Sequence, residues 1–314
     1  MGLIALGLTV LILGGEFLVK GAVGIAAKAR LSTLVIGMTV VSFGTSAPEL
    51  LVSLKAAFME VPEITIGNVI GSNIANIALV LGVTALIFPM PVSRNSIMLD
   101  WPVMLISGVL FFIFGWLGTV ERWHGILLFS LLVFFIWYLI RTSRKKNKAR
   151  IRDTDDEDES NVKEKKKFNV YLSSLYLFLG LVGLYFGAKW LINGATELGR
   201  HYGLSKHVIA ITIVAFGTSV PELTTSVVAA YKKEMDISVG NLIGSNIFNV
   251  MCVIGLTAIV LPISVEKSVV NWDMLWMLAI YIVLLPMMLI KRKIGRISGL
   301  ILVSSYFIYI YLLF

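Results

Sequence analysis

The sequence predicts an all-α membrane protein of ten transmembrane helices, arranged as two inverted five-helix repeats with the N- and C-termini outside. Three observations predict it. The 314 residues are 57% hydrophobic and only 15% charged, with a mean hydropathy of +0.88, far more apolar than a soluble domain of this length. Nearly uncharged runs, long enough to cross a hydrocarbon core about 30 Å thick, recur along almost the whole chain. The octapeptide FGTSAPEL at 43–50 returns as FGTSVPEL at 216–223, each inside such a run.

The runs lie at about 2–27, 33–57, 63–88, 98–119, 122–141, 170–199, 206–231, 237–261, 272–290 and 296–314. The first, MGLIALGLTVLILGG, lacks the basic leader of a signal peptide and has a counterpart later in the chain, so it reads as a retained helix. Orientation follows from the basic residues. With the N-terminus outside, the inner connections collect Lys28, Arg30, Arg94, the cluster from Arg141 to Lys167, Lys232, Lys233, Lys291, Arg292, Lys293 and Arg296. The outer ones hold only Arg122, Arg200, Lys206 and Lys267. The net charge of +8 therefore reflects membrane orientation, and no nucleic-acid partner is implied. The single cysteine, Cys252, excludes an intramolecular disulfide and reads as a small core residue.

The two octapeptides are 173 residues apart, and the same offset carries Gly67 to Gly240, Asn76 to Asn249 and Pro89 to Pro262. From Thr39 to Pro89 about half the residues are identical at that offset, the mark of an internal repeat. Five spans per copy is an odd number, so the second copy enters the membrane from the opposite side. The expected organisation is a first half at 1–141 with its motif at 37–89, a charged cytoplasmic linker at 142–168, and a second half at 169–314 with its motif at 210–262. The linker's acidic core, Asp153 to Glu159, lacks the ligand spacing and turn glycine of a calcium-binding loop.

The motif's chemistry is that of oxygen ligands. Pro48 and Pro221 cannot donate to the carbonyls of Gly44 and Gly217, so each span is expected to bend there and release backbone carbonyls. Thr45 or Ser46 can then converge with Glu49 on one face, as can Thr218 or Ser219 with Glu222. The following span carries Asn68, Ser72 and Asn76 every fourth residue, repeated as Asn241, Ser245 and Asn249. Hard oxygen donors select Na+, Ca2+ or Mg2+, and the mixed carboxylate, hydroxyl and carbonyl shell suits Ca2+ better than octahedral Mg2+. A mid-span carboxylate costs several kcal/mol unless paired or neutralised, which argues for an ion site at Glu49 and Glu222. The glycine pairs Gly67 with Gly71 and Gly240 with Gly244 fit close helix packing equally well. Lys20, Lys55 and Lys189 are expected near span ends, and Asp100 and Asp273 as helix-start caps.

On these residues the chain resembles the calcium/cation antiporter superfamily, in its prokaryotic sodium/calcium exchanger branch, whose two α-repeats the GTSxPE and GNxIGSN motifs match. The resemblance implies a cage in which Glu49 and Glu222 are acidic Ca2+ ligands and Thr45 and Thr218 give backbone oxygens. It further implies that Ser46, Ser219, Ser72, Ser245 and the carbonyls of Ser42 and Ala215 serve flanking Na+ sites, that Asn76 and Asn249 face the centre, and that the first and sixth spans form a sliding gate. Asparagine at 249, where potassium-dependent relatives carry an acid, implies K+ independence.

The expected function is therefore antiport of Ca2+ against Na+ across the plasma (inner) membrane by a multi-pass protein, electrogenic, with no cofactor and no obligate protein partner beyond the lipid bilayer. Ca2+/H+ antiport through the same glutamates is the alternative. A passive channel fits paired sites poorly. No pair of mid-span aspartates, metal triad or nucleophile with a base suggests an intramembrane enzyme.

Overall fold

The computed structural model describes residues 2–155, 169–201, 217 and 219–313. Long helices dominate: α1 (Gly2–Ala29), α2 (Thr33–Thr45), α3 (Ala47–Phe58), α4 (Glu63–Ile87), α5 (Ser96–Trp116), α6 (Arg122–Asp155), α7 (Val170–His201), α8 (Val220–Tyr231), α9 (Met235–Val260), α10 (Lys267–Arg292) and α11 (Arg296–Leu313). Among the described residues eight helices are long and apolar enough to cross a membrane, and nine spans result if α2 and α3 form one bent span. Of the remaining expected span, the seventh, at 206–231, only the part from Gly217 onward is described, without Thr218. The protein is a multi-pass helical membrane protein.

α6 does not stop where apolar character ends at Arg141 but continues as helix to Asp155. Lysine, arginine and alanine are good helix formers, so the charged segment carries the helix on into water. The remainder of the expected linker lies outside the described residues.

Two short strand pairs tie distant connections together. β1 (Met90–Pro91) pairs antiparallel with β4 (Lys293–Ile294), Met90 opposite Ile294, and β2 (Thr119–Val120) pairs with β3 (Ile263–Ser264), Thr119 opposite Ser264. Elsewhere local geometry recurs at the 173-residue offset. Glu60 and Lys233 both take left-handed backbone after α3 and α8, with φ of 57° and 62°. Five-residue-repeat π turns interrupt α4 at Ala75–Leu81 and α9 at Asn249–Ile254, and interrupt the starts of α5 and α10 at Ser96–Asp100 and Val270–Met274.

Asp100 and Asp273 are not helix-start caps. Ser93 receives the Ser96 N–H on its hydroxyl at 3.0 Å, and Glu266 occupies the corresponding cap position before α10. Asp100 lies deeper in its helix and is fully buried, while Asp273 accepts from the Tyr309 hydroxyl at 2.7 Å. The caps come first because a cap must precede the first helical N–H groups, and both aspartates follow them by seven residues.

Buried apolar side chains form two clusters. The larger joins α4, α5, α6, α9, α10 and α11; the smaller gathers Leu11, Leu18, Val19 and Ala22 of α1 with Leu184 and Ala188 of α7 and reaches Val220 and Ala229 of α8. α1 and α7 pack antiparallel along their lengths. Gly7, Gly14 and Gly21 recur every seven residues on one, and Gly180, Gly187 and Gly194 on the other. A methyl group added at Gly7 would lie 2.7 Å from the Leu191 nitrogen, at Gly14 2.8 Å from the Leu184 nitrogen, and at Gly187 2.8 Å from the Leu11 nitrogen. Each of these glycines thus meets the backbone of the facing helix at a leucine, the close approach that small residues permit in membranes.

Replacing Gly14 and Gly187 together by alanine is expected to force the pair apart, at about 1–3 kcal/mol per site. The thermal midpoint of the detergent-purified protein should fall by several degrees; an unchanged midpoint contradicts the seam.

Candidate cation site at the two broken helices

α2 and α3 meet at a bend of 42°. Pro48 does not kink a continuous helix there; it stands second in α3, a first-turn position where its missing N–H has no intrahelical acceptor in any case. Pro221 stands second in α8 in the same way. The residues just before, Ser46 and Ser219, have nearly identical backbone, φ −87° and ψ 1° against φ −89° and ψ 0°. A serine at this position ordinarily turns its hydroxyl onto the first N–H groups of the helix. Neither does so here, and both hydroxyls are buried with no hydrogen-bond partner among the described residues.

The acids sit one residue beyond the prolines, in the first turns of α3 and α8, where the helix dipole favours negative charge. Glu49 and Glu222 are each 1% exposed. Glu49 Oε2 and both carboxylate oxygens of Glu222 lack a hydrogen-bond partner among the described residues, and the two carboxylates are near enough to repel one another. Two like charges held together in a low-dielectric interior without a basic partner are a standing demand for a cation or for protons.

The walls come from α4 and α9. Asn68 Nδ2 donates to the Glu49 carbonyl and to Ser53 Oγ, both at 3.2 Å, and Asn241 Nδ2 donates to Ser226 Oγ at 3.3 Å, so the first asparagine of each stripe braces the helix that carries the acid. Thr45 Oγ1 donates to Asn241 Oδ1 at 3.2 Å and meets Ser245 Oγ at 3.3 Å, linking the first broken helix to α9. Deeper, Asn249 Nδ2 donates to Asn73 Oδ1 at 3.0 Å, leaving Asn249 Oδ1 without a partner, and Asn76 has none on either amide atom. Ser72 lines a cavity of about 800 Å³ bordered by Gly67, Gly71 and Tyr309, with Glu63, Glu266 and Asp273 also on its wall. Glu49, Glu222, Ser46, Ser219, Asn76 and Asn249 therefore combine burial with oxygen atoms that nothing else among the described residues engages.

Residues 1–141 and 172–314 match the model of a family described as sodium/calcium exchanger protein. The chain is a member of that family. The sodium/calcium exchanger MaX1 of Methanosarcina acetivorans is 33% identical over 341 residues, covering 99% of this chain and 97% of its own. The inner membrane protein YrbG of Escherichia coli is 31% identical over 315 residues, with 99% and 96% covered. Among solved structures, the sodium-calcium exchanger NCX_Mj soaked with zero Na+ and Ca2+ superposes with a TM-score of 0.84 at 32% identity, covering 100% of this chain and 98% of that one.

In this exchanger-family chain the expected ligands Glu49, Glu222, Ser46, Ser219, Asn76, Asn249, Thr45 and Ser245 are all buried, and Thr45 of the first half meets Ser245 of the second. Thr218 and Ala215 lie outside the described residues. Ser42 differs from expectation: its carbonyl is not released but accepts the Ser46 N–H at 2.9 Å and the Thr45 hydroxyl at 3.3 Å, because α2 keeps its helical pairing up to the bend. Its hydroxyl donates to the Gly37 carbonyl at 2.7 Å and approaches the Asn241 carbonyl at 3.0 Å. The glycine pair of α9 serves packing. A methyl at Gly240 would lie 2.7 Å from the Leu34 carbonyl oxygen, and one at Gly244 would strike Ser42 Oγ itself.

Among the charges within the first and sixth spans, Glu16 escaped the sequence reading. Glu16 pairs with Lys232 at 3.5 Å, Lys20 lies over the Tyr176 ring at 4.2 Å, and Lys189, expected near a span end, lines a cavity of about 270 Å³ with Pro48, Gly217 and Pro221. The offset was a usable signal, since Glu16 and Lys189 are 173 apart.

Glu49→Gln and Glu222→Gln are each expected not to lower the thermal midpoint in cation-free buffer, since each removes a buried carboxylate. Both should abolish the rise caused by calcium, which for wild type at a hundred times Kd corresponds to about 2.7 kcal/mol. A calcium-induced rise that survives in both variants contradicts the assignment.

Proposed function

We propose that this chain exchanges Ca2+ for Na+ across the prokaryotic plasma membrane by alternating access. The observation that carries the reading is the pair Glu49 and Glu222, buried and near enough to repel one another, with unengaged oxygens, beside motif residues Ser46, Ser219, Asn76 and Asn249 whose buried hydroxyl and amide atoms are likewise unengaged among the described residues. Two ionised carboxylates give the cage a charge of −2, which one Ca2+ neutralises. Emptied of cations, the charges are stranded in low dielectric, so the empty site does not cross, and occupancy by Ca2+ or by Na+ ions must alternate. The family membership and the exchangers MaX1 and NCX_Mj support the same pair of ions.

Two inverted halves are the architecture that serves such exchange, because equivalent inward and outward states then follow from one design. Support comes from the two separate family matches, from the recurrence of π turns, of left-handed residues and of the Ser46 and Ser219 backbone at the 173 offset, and from the antiparallel α1–α7 pair. Ten spans with both termini outside would put β1 and β4 together on the inner side and β2 and β3 together on the outer side, in keeping with the pairs they form. The close glycine seam between α1 and α7 fits a pair that moves together against the remaining bundle. The acidic residues Glu63, Glu266 and Asp273 along the larger cavity would attract cations from the outer side.

Stoichiometry follows from driving force. Expelling one Ca2+ against an assumed 10⁴ gradient and 100 mV costs roughly 5.5 plus 4.6, about 10 kcal/mol. One Na+ entering down an assumed tenfold gradient and the same potential supplies roughly 1.4 plus 2.3, about 3.7 kcal/mol. Two fall short and three suffice, so exchange is electrogenic. With asparagine at 249 the cage has no third acid for K+. The unengaged serine hydroxyls beside each glutamate favour Na+ over H+ as the counter-ion, since a proton needs no such donors.

In sealed proteoliposomes loaded with radioactive calcium, an outward-directed calcium flux should require an inward Na+ gradient, carry current, and be indifferent to K+. Flux driven by a pH gradient alone would reassign the protein to Ca2+/H+ antiport, flux without any counter-ion to a channel.

A further inference from the structure

Tyr281 is the largest fully buried side chain, in the middle of α10, outside both motifs. Its position is related by the 173 offset to Gly108 of α5, and the two positions touch: a methyl added at Gly108 would lie 3.1 Å from Tyr281 Cε2. Where the two halves meet, one supplies a tyrosine and the other the space for it. The Tyr281 carbonyl accepts from Trp101 Nε1 at 2.7 Å, which fixes the depth of the ring between α5 and α10.

The tyrosine hydroxyl donates to Asn246 Oδ1 at 2.9 Å. Asn246 and Asn73 are themselves related by the offset, and both are fully buried. Without Tyr281, the Asn246 amide would be free to turn over and offer its NH2 group to Asn73 Oδ1. With it, Asn246 is held: its oxygen takes the tyrosine and its Nδ2 donates to the Leu242 carbonyl at 2.8 Å. With Asn246 Oδ1 already taken, Asn73 directs its own Nδ2 to the main-chain carbonyl of Asn246, at 3.4 Å, and toward Met277 Sδ, at 3.8 Å, which leaves its Oδ1 facing the other way. That oxygen receives Asn249 Nδ2. Of Asn249, only the carbonyl oxygen remains unengaged, whereas Asn76, the corresponding residue of the first half, has neither amide atom engaged.

An amide is a cation ligand only when its oxygen faces the ion; turned over, it presents an NH2 group that repels the ion. We propose that Tyr281 is a positioning residue which, through Asn246 and Asn73, fixes the Asn249 amide with its oxygen toward the cation site, so that only one half of the cage carries a pre-oriented amide. This rests on the reading of Asn249 as part of a cation cage.

The test uses the full-length protein in detergent, with calcium binding measured by titration, in four forms: wild type, Tyr281→Phe, Asn249→Asp and the double variant. A carboxylate offers oxygen whichever way it turns, so orientation matters for asparagine alone. Expected is a rise in calcium Kd of about three- to tenfold for Tyr281→Phe, with less than a twofold change when the same substitution is made beside Asn249→Asp. Asn73→Ala, made in both backgrounds, should repeat the pattern and serves if Tyr281→Phe fails to fold. A Tyr281→Phe protein that binds like wild type, or an equal loss in both backgrounds, as a merely structural role would give, overturns the inference alone. A wild type that binds neither Ca2+ nor Na+ overturns the functional reading and the inference with it.

Discussion

Two carboxylates held together away from water, without a basic side chain to meet them, set the terms for everything else in this protein. A charge buried in hydrocarbon is tolerated only when paired or neutralised, and Glu49 and Glu222 find no such partner among the described side chains. The rest of the site can be understood as oxygen supplied in advance of a cation. The serines preceding each acidic helix decline the capping role their position invites, and the asparagines of α4 and α9 keep amide atoms in reserve. Unsatisfied polar atoms are rare in folded proteins, so their gathering around one pair of acids is itself the functional signal.

The fold meets this demand by ending helices where a soluble protein would continue them. Stopping α2 at Thr45 and restarting at Ala47 lets a helix N-terminus point into the membrane interior, and the prolines make the restart inexpensive. Close approach of the neighbouring helices is then needed to cover the interrupted backbone. Gly44 and Gly217 allow it, since a side chain at either would strike Leu181 or Ile192 of α7, and Gly240 and Gly244 let α9 lie against α2. Glycine in these spans is therefore both a packing residue and the means by which the site is enclosed.

Much of this was legible in the sequence because the same solution is written twice. The spans, the paired acids and the asparagine stripes follow from hydropathy and a constant offset, and Ser46, Ser219, Asn76 and Asn249 are all buried with side-chain atoms unengaged among the described residues. What was not legible depends on tertiary context. A proline within an apolar run signals a kink or a new helix equally well, and only the backbone at Ser46 decides. The π turns at Ala75 and Asn249 leave no periodic trace, and the orientation of an amide such as Asn249 is fixed by Tyr281, more than thirty positions away in another helix. Asp100 was misjudged because a carboxylate near a span start ordinarily caps it, and Ser93 had already taken that place.

The glycine seam between α1 and α7 carries a mechanical consequence. Glycine recurs every seventh residue on both helices, so sliding one along the other by less than a heptad, roughly 10 Å at 1.5 Å per residue, would set larger side chains against backbone that only glycine leaves room for. Intermediate registers are closed to the pair by volume alone. The register of the two helices is thus set by their own contact surface, independently of what packs around them.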